Sequence, residues 1–227
     1  MTDVKIVGTW SRSQAEEDAM NDEHAFIWRA MIDAMLESDL SRSRVLDFGC
    51  SQGGFLRLLH RLHPYLSAVG VDVAQESVAT ANARKADVPV HYQAATSLEA
   101  FRSEFDVAFS HEVLYLLPDL RAHAEQMRAA LKPGGVYYAV LGAHAENPLW
   151  PRWRDGLGAS SNIPPQDCSL DDVASAFRAS GFAVSARRFL VDAFIPVGGA
   201  AHASFASVRE ELTYYSCDKV MFRLIAP

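Results

Sequence analysis

The stretch VLDFGCSQGGF, residues 45–55, places one acid and three glycines at the end of a short apolar run. Gly49, Gly53 and Gly54 allow the backbone to turn tightly and leave no side chain in the way of a ligand. The residues after Gly54 have the spacing of an amphipathic helix, whose first N–H groups attract a carboxylate or phosphate. Asp47 lies in the same turn, where its carboxylate can attract an ammonium group or accept hydrogen bonds from the loop.

A second acid, Asp72, follows Asp47 by 25 residues and ends the apolar run AVGVD. A helix of about 11 residues carries the chain back roughly 16 Å, so a second parallel strand would bring Asp72 beside the glycine loop. A carboxylate in that place suits the two hydroxyls of a ribose. The plainer interpretation, an ordinary glycine turn and a helix-capping Asp, stays open. The glycine spacing does not match G-x-G-x-x-G, which disfavours a dinucleotide-binding dehydrogenase.

The elements that must position these residues alternate along the chain. Strand-like segments are RVLDF, LSAVGVDV, VPVHYQ, FDVAFS and VYYAVLG, and helix-like segments lie among them. This alternation predicts an α/β fold with a doubly wound, mainly parallel sheet, whose ligands bind at the carboxyl ends of the strands. The segment KPGG predicts a turn. After a helix capped by Ser169, the runs FAVSARRFLV and KVMFRLIA predict a final antiparallel pair.

Composition narrows the class of protein. The chain has 227 residues, is 49% apolar and carries a formal net charge of −7, which disfavours a protein built to coat nucleic acid. Its three cysteines are far apart, so the sequence predicts neither a disulfide framework nor a metal site. The first residues lack the pattern of a secretory signal, and we find no membrane-spanning run. We therefore expect a cytoplasmic protein.

Four segments in order resemble the class I S-adenosylmethionine-dependent methyltransferases. They are VLDFGCSQGGF, GVDVAQESV, FDVAFSHEVLYLLPD and LKPGGVYYAV, within residues 44–141. The resemblance implies a seven-stranded sheet with an antiparallel last strand, and S-adenosyl-L-methionine as the cofactor. The sequence departs from the family pattern at Ser51, where a second loop glycine is usual.

The resemblance also implies roles for individual residues. Asp47 and Gly49 would hold the methionine end of the cofactor, and Asp72 would hold the ribose hydroxyls. The further predicted cofactor-binding residues are Cys50, Ser51, Gly53, Val73, Ala95, Thr96 and Ser110. The segment YQAATSL has no acid that could receive the adenine amino group, so Ala95 and Thr96 offer backbone or hydroxyl contacts.

His111 and Glu112 follow the fourth predicted strand, close to the expected position of the methyl group, and are the candidate catalytic residues. His111 has the ordinary pKa to take a proton near neutral pH, and Glu112 could steer an amine. The plainer alternative is that His111 touches the cofactor through its backbone and Glu112 braces the loop.

Long segments outside the core pattern predict an acceptor site. Residues 41–227 form the cofactor-binding domain, residues 1–40 a helical cap that includes a helix over 14–36, and insertions 142–168 and 196–217 a lid. Pro148 and Pro151 limit the first insertion to short helical pieces. The candidate acceptor-binding residues are Trp10, Tyr115, His144, Trp150 and Trp153. The tryptophans could instead cover the edge of the core.

We expect methyl transfer to a small-molecule N or O acceptor. The acidic balance makes a nucleic-acid partner unlikely on charge alone. An RNA or protein acceptor, and a non-catalytic subunit that supports a partner, stay open as alternatives. The sequence does not set the oligomeric state or the identity of the acceptor.

Overall fold

A computed structural model describes residues 5–11, 24–197 and 204–227. Its strands are β1 (Arg44–Phe48), β2 (Ser67–Asp72), β3 (Val90–Ala94), β4 (Phe105–His111), β5 (Leu131–Leu141), β6 (Ala183–Arg188) and β7 (Val220–Ile225). They form one seven-stranded sheet in the order β3-β2-β1-β4-β5-β7-β6. The fold class predicted from the sequence is confirmed.

Seven α-helices connect or cover the strands among the described residues. They are α1 (Ala25–Ala34), α2 (Gly54–Leu62), α3 (Gln75–Arg84), α4 (Leu120–Ala130), α5 (Trp150–Ser160), α6 (Leu170–Ala179) and α7 (Val208–Thr213). A 3₁₀ turn spans Leu114–Leu116, and a π-helical turn spans Tyr214–Asp218 after α7. The capping box predicted at Ser169 and Asp172 is present at the start of α6.

The winding of the sheet reverses between β1 and β4. β1 pairs in parallel with β2 on one side and with β4 on the other, and β5 pairs in parallel with β4. β7 is antiparallel to both β5 and β6, which confirms the predicted antiparallel final pair. A ligand crevice is expected outside the carboxyl ends of β1 and β4, where the crossover helices diverge to opposite faces.

Alternating side chains of the strands fill two hydrophobic layers. Val45 belongs to the layer that α1 and α2 cover, and its neighbour Leu46 belongs to the layer that α4 and α6 cover. Because successive strand residues point to opposite faces, each strand contributes to both layers. The sheet is therefore buried on both sides, and its carboxyl edge is a rigid base for a site.

Two local expectations are wrong. The helix before KPGG ends at Ala130, as expected, but KPGG is not a separate turn: β5 already begins at Leu131, which pairs with Phe105, and the register shifts before Val136 pairs with Val107. The extra residues form an irregularity within the strand. The first insertion holds an 11-residue helix, α5, because Pro151 lies in its first turn, where a proline needs no hydrogen-bonded N–H.

The predicted N-terminal helix is only partly within the described residues. Its described part is α1, and residues 12–23 lie outside them. Before this gap, residues 5–11 run along the sheet edge: Val7 N donates to Val73 O at 2.9 Å, and Gln75 N donates to Val7 O at 2.9 Å. This segment brings Trp10 to the carboxyl edge of the sheet.

Candidate active site

The loop after β1 depends on glycine for close packing. Gly49 has φ +83°, and a Cβ there would collide with the Val113 side chain. Gly53 has φ +71°, and a Cβ would collide with the Tyr92 ring, whose hydroxyl donates to Gly53 O at 2.9 Å. Both positions therefore require glycine, because the backbone has a positive φ and because neighbouring side chains leave no room for a Cβ.

Asp72 braces this loop from the end of β2. One carboxylate oxygen accepts the N–H of Ser51 at 2.8 Å, and the other accepts the N–H of Ala74 at 2.9 Å. Ser51 has φ +43°, so it keeps the left-handed conformation expected of a glycine in that place. A carboxylate accepts from hydroxyls as well as from N–H groups, so the Asp72 side chain suits ribose hydroxyls.

Asp47 has a different environment. It is 4% exposed, and among the described residues no donor reaches its Oδ2 atom. Burial, with a smaller contribution from the Asp72 charge, raises the pKa of Asp47 to about 8. A buried carboxyl without a partner is costly to ionise, so this position favours a ligand that brings a cation.

A cavity of about 770 Å³ opens at this edge of the sheet. The predicted cofactor-binding residues that line it are Asp47, Gly49, Cys50, Ser51, Asp72, Val73, Ala95 and Thr96. Gly53 and Ser110 are not among the lining residues. Gly53 begins α2 beneath the loop, and Ser110 is buried with its hydroxyl 2.6 Å from the Tyr137 hydroxyl.

His111 and Glu112 both line the cavity, and Lys219 lines it beside them. Glu112, at φ +55°, accepts from Gly142 N at 2.9 Å, Ala143 N at 3.3 Å and the Tyr214 hydroxyl at 3.2 Å. It also forms an ion pair with Lys219. Although burial alone would raise the pKa of Glu112, Lys219 and the backbone donors hold it below its ordinary value.

Lys219 was not predicted from the sequence. It lies just before β7, is 1% exposed and reaches His111 Nε2 at 3.3 Å and the Tyr214 hydroxyl at 3.1 Å. Burial lowers the pKa of His111, and the neighbouring Lys219 charge lowers it further. The only sequence signal was one lysine at the start of the apolar run KVMFRLIA, 107 residues after Glu112.

The candidate acceptor-binding residues divide into two groups. Trp10, Tyr115 and Trp153 line the cavity. His144 and Trp150 do not line it, and both are buried. His144 Nε2 lies 2.7 Å from Asp218 O. Trp150 packs edge-to-face against Tyr115, with ring centroids 5.6 Å apart.

Further aromatic side chains complete the wall. They are His24, Trp28, Phe205, Tyr214 and Tyr215. Trp153 contacts Phe205 at 5.5 Å and Tyr214 at 4.8 Å between ring centroids. The cavity therefore has a polar end at the glycine loop and a largely aromatic end below α1 and α5.

The donor set fits S-adenosyl-L-methionine. Asp47 offers a buried carboxyl that a cationic ligand would hold in the ionised form, Asp72 offers a carboxylate for a diol, and the backbone at Gly49 lines the same cavity. Within the described ranges, no group of three or more His, Cys, Asp or Glu side chains is arranged to hold a metal ion.

A family model described as a methyltransferase domain matches residues 22–186 of the chain. The chain belongs to the class I S-adenosylmethionine-dependent methyltransferases. Within this family it is 35% identical over 96 residues to the ubiquinone biosynthesis O-methyltransferase of Paramagnetospirillum magneticum, covering 41% of the chain and 38% of that relative. It is 28% identical over 107 residues to the trans-aconitate 2-methyltransferase of Rhodopseudomonas palustris, covering 46% of the chain and 41% of that relative. These alignments span about two fifths of each relative's length.

Solved methyltransferase structures share the fold over more of the chain. A chain in the complex between the Haloferax volcanii Trm112 methyltransferase activator and a methyltransferase superposes with a TM-score of 0.79 and 21% identity, covering 94% of this chain and 95% of that one. Haemonchus contortus phosphoethanolamine N-methyltransferase 2, solved with S-adenosyl-L-methionine, superposes with a TM-score of 0.68 and 16% identity. The match covers 95% of this chain and 58% of that one. The cofactor of the family is S-adenosyl-L-methionine, as the sequence predicts.

Among the described residues, no helix is long and apolar enough to cross a membrane.

Proposed function

We propose that this protein transfers a methyl group from S-adenosyl-L-methionine to the oxygen or nitrogen of a small molecule. The observation that carries this proposal is the continuity of the cavity. The same space of about 770 Å³ joins Asp47 and Asp72 at one end to Trp153 and Phe205 at the other. That volume lies in the range of sites that enclose a small ligand.

The aromatic end of the cavity supports a largely apolar or flat acceptor. Aromatic side chains bury large areas and prefer offset or edge-to-face contacts with other rings. The names of two relatives, a ubiquinone biosynthesis O-methyltransferase and a trans-aconitate 2-methyltransferase, are also consistent with a small-molecule acceptor. On this proposal, the described parts of the insertions 142–168 and 196–217 form the acceptor lid, and the described residues of the N-terminal segment close the opposite side; residues 198–203 lie outside the described residues.

The residues of the chain mainly position the reactants and exclude water. Asp47 would bind the ammonium group of the cofactor, Asp72 would bind its ribose hydroxyls, and the loop around Gly49 would contact its methionine end. The bound cofactor supplies an activated methyl group. Tyr115 and Trp153 would hold the acceptor against the reacting end, where correct orientation accounts for much of the rate.

Calorimetry and mass spectrometry test the proposal together. We expect S-adenosyl-L-methionine and S-adenosylhomocysteine to bind and NAD not to bind, and we expect Asp72→Ala to weaken binding sharply. Asp106→Ala is a matched control, because Asp106 lies at the opposite end of β4, paired with Lys132 at 2.7 Å. Methyl-labelled cofactor should then label small molecules in a mass-resolved screen. Label on RNA or protein alone would overturn the small-molecule assignment.

Dependence on a partner is the second candidate. It is supported by the similarity, over nearly the whole chain, to the chain in the Trm112 activator complex. In that case the acceptor would be presented by, or together with, another macromolecule. The isolated chain would then bind the cofactor weakly and label no small molecule, and an activator protein would restore both.

A further inference from the structure

Lys219 forms a complete set of hydrogen bonds at the floor of the cavity. A lysine ammonium has three N–H donors and no acceptor. The Lys219 ammonium donates to Glu112 Oε1, to the Tyr214 hydroxyl at 3.1 Å and to His111 Nε2 at 3.3 Å. Its charge is balanced by the Glu112 carboxylate, and the pair is held by backbone donors from Gly142 and Ala143.

This arrangement sets the protonation of His111. Because the ammonium can only donate, His111 Nε2 must accept, and the ring proton of the neutral imidazole lies on Nδ1. No described residue forms a hydrogen bond with Nδ1, and His111 lines the cavity. The ring is therefore able to donate a hydrogen bond to a ligand and has no free nitrogen with which to take a proton.

The other titratable groups around His111 do not supply a base. Glu112 already accepts from Lys219, Tyr214 and two backbone N–H groups. His24 packs edge-to-face on His111 with centroids 4.9 Å apart, and burial, assisted by Lys219, lowers its pKa to about 4. Near pH 7 both imidazoles are neutral, and the Glu112 carboxylate beside them already accepts from Lys219, Tyr214 and two backbone N–H groups.

We infer that Lys219 is a positioning residue that fixes His111 as a neutral hydrogen-bond donor, and that the acceptor is an apolar or aromatic molecule whose reacting oxygen enters the site already ionised. This inference rests on the proposed function and narrows it to phenolates or carboxylates. An oxyanion has several lone pairs, so one can accept the Nδ1–H bond while another attacks. An amine nitrogen has a single lone pair, which the same hydrogen bond would occupy.

The chemical step then needs no base. The oxyanion forms a C–O bond to the methyl carbon as the C–S bond breaks, and the electrons of that bond remain on sulfur as a neutral thioether. The negative charge of the oxygen and the positive charge of the sulfonium cancel, and no proton is released. His111 orients the oxygen during this displacement, and Lys219 holds His111 in place.

Nitrogen-15 NMR of the histidine rings tests the inference on the protein alone. We expect His111, assigned by its absence in His111→Gln, to give a protonated Nδ1 and an unprotonated Nε2 signal between pH 5.5 and 8. A protonated Nε2, or a ring that becomes charged within this range, would overturn the inference. If His111→Gln fails to fold, correlation of the ring signals with the assigned backbone of the wild-type protein identifies His111 instead.

Variants separate positioning from packing. Lys219→Met combined with Glu112→Gln removes both charges and should release the ring, giving a mixture of tautomers and a His111 pKa closer to its ordinary value. Lys132→Met is the matched control, because Lys132 forms its ion pair with Asp106 away from the cavity, and it should leave the spectrum unchanged. An unchanged spectrum in the double variant would argue against a role for Lys219.

A second readout uses acceptors found in the mass screen. For two acceptors of different acidity, the pH at which the rate rises should follow the ionisation of each acceptor. A rise at one pH for both, near that of an ordinary histidine, would overturn the inference. The outcomes are distinguishable from failure of the proposed function, since the NMR result requires no cofactor, acceptor or activity.

Discussion

Asp47, which we propose binds the ammonium group of the cofactor, also affects the stability of the fold without a ligand. Its carboxyl is buried and its Oδ2 has no donor among the described residues, so the folded state disfavours its ionisation. In the unfolded chain an aspartate ionises near pH 4, whereas burial raises the pKa of Asp47 to about 8 in the folded protein. Between these values the folded state holds one proton more than the unfolded state. Its stability therefore falls as pH rises from about 4 to 8.

Asp47→Asn should remove this pH dependence and weaken cofactor binding. Without cofactor, we expect the variant to melt at a higher temperature than the wild type at pH 8, and the difference to shrink toward pH 5. We expect its cofactor affinity to fall by about 10- to 100-fold, because a hydrogen bond to a charged group contributes about 1.5–3 kcal/mol. Melting curves from pH 5 to 9 and titration calorimetry measure both effects. If the melting temperatures of the two proteins differ by the same amount from pH 5 to 9, Asp47 does not have the raised pKa.

At the scale of elements, the position of α1 depends on one tyrosine of β5. The hydroxyl of Tyr138 accepts the N–H of Leu36 at 3.0 Å and donates to Glu37 at 2.6 Å. Arg223 of β7 donates to the same hydroxyl at 3.0 Å and to Glu37 at 2.9 Å. Because α1 contributes Ile27 and other residues to the cavity wall, we expect this connection between the sheet and the segment after α1 to help hold that wall in place.

Tyr138→Phe should loosen α1 selectively. It removes the hydroxyl that joins Leu36, Glu37 and Arg223, and we expect a loss of about 1–3 kcal/mol in the free energy of unfolding. Amide exchange should become faster in α1 in particular. Tyr137→Phe is the control, since the Tyr137 hydroxyl contacts Ser110 and His123 on the other face of the sheet. Equal exchange in α1 for the two variants would contradict this account.

The elements differ in how far the sequence specifies them. Strands β1 to β5 and the loop at Gly49 follow from local patterns, namely apolar runs, turn glycines and acids at strand ends. The Lys219–Glu112 pair does not, since it joins distant segments that only the antiparallel return of β7 brings together. His144 and Trp150 have the residue types of binding groups, but their polar atoms are taken by Asp218 and Asp167. Contacts of that kind are set by tertiary packing.

At the scale of the whole molecule, α5 and the segment that leads into α7 close over the aromatic end of the cavity. Arg152 donates to Ser204 O at 2.7 Å and pairs with Glu210 at 2.8 Å, and the Trp153 indole donates to Ser204 O at 3.0 Å. These contacts are exposed, and exposed ion pairs contribute about 0–1 kcal/mol to stability. Their loss should therefore alter the lid without unfolding the domain.

On the proposal that these insertions form the acceptor lid, Arg152→Gln should raise the KM for the acceptor about 3- to 10-fold, with little change in kcat or in cofactor affinity. Arg154→Gln is a matched control on the same helix. The Arg154 side chain is about as exposed as that of Arg152, and it pairs with Asp167 at 2.9 Å. This ion pair connects α5 to the segment before α6, not to α7. Steady-state kinetics with a labelled cofactor distinguish the two. If both substitutions change KM equally, or if Arg152→Gln instead weakens cofactor binding, the contact between the two insertions does not form the acceptor lid.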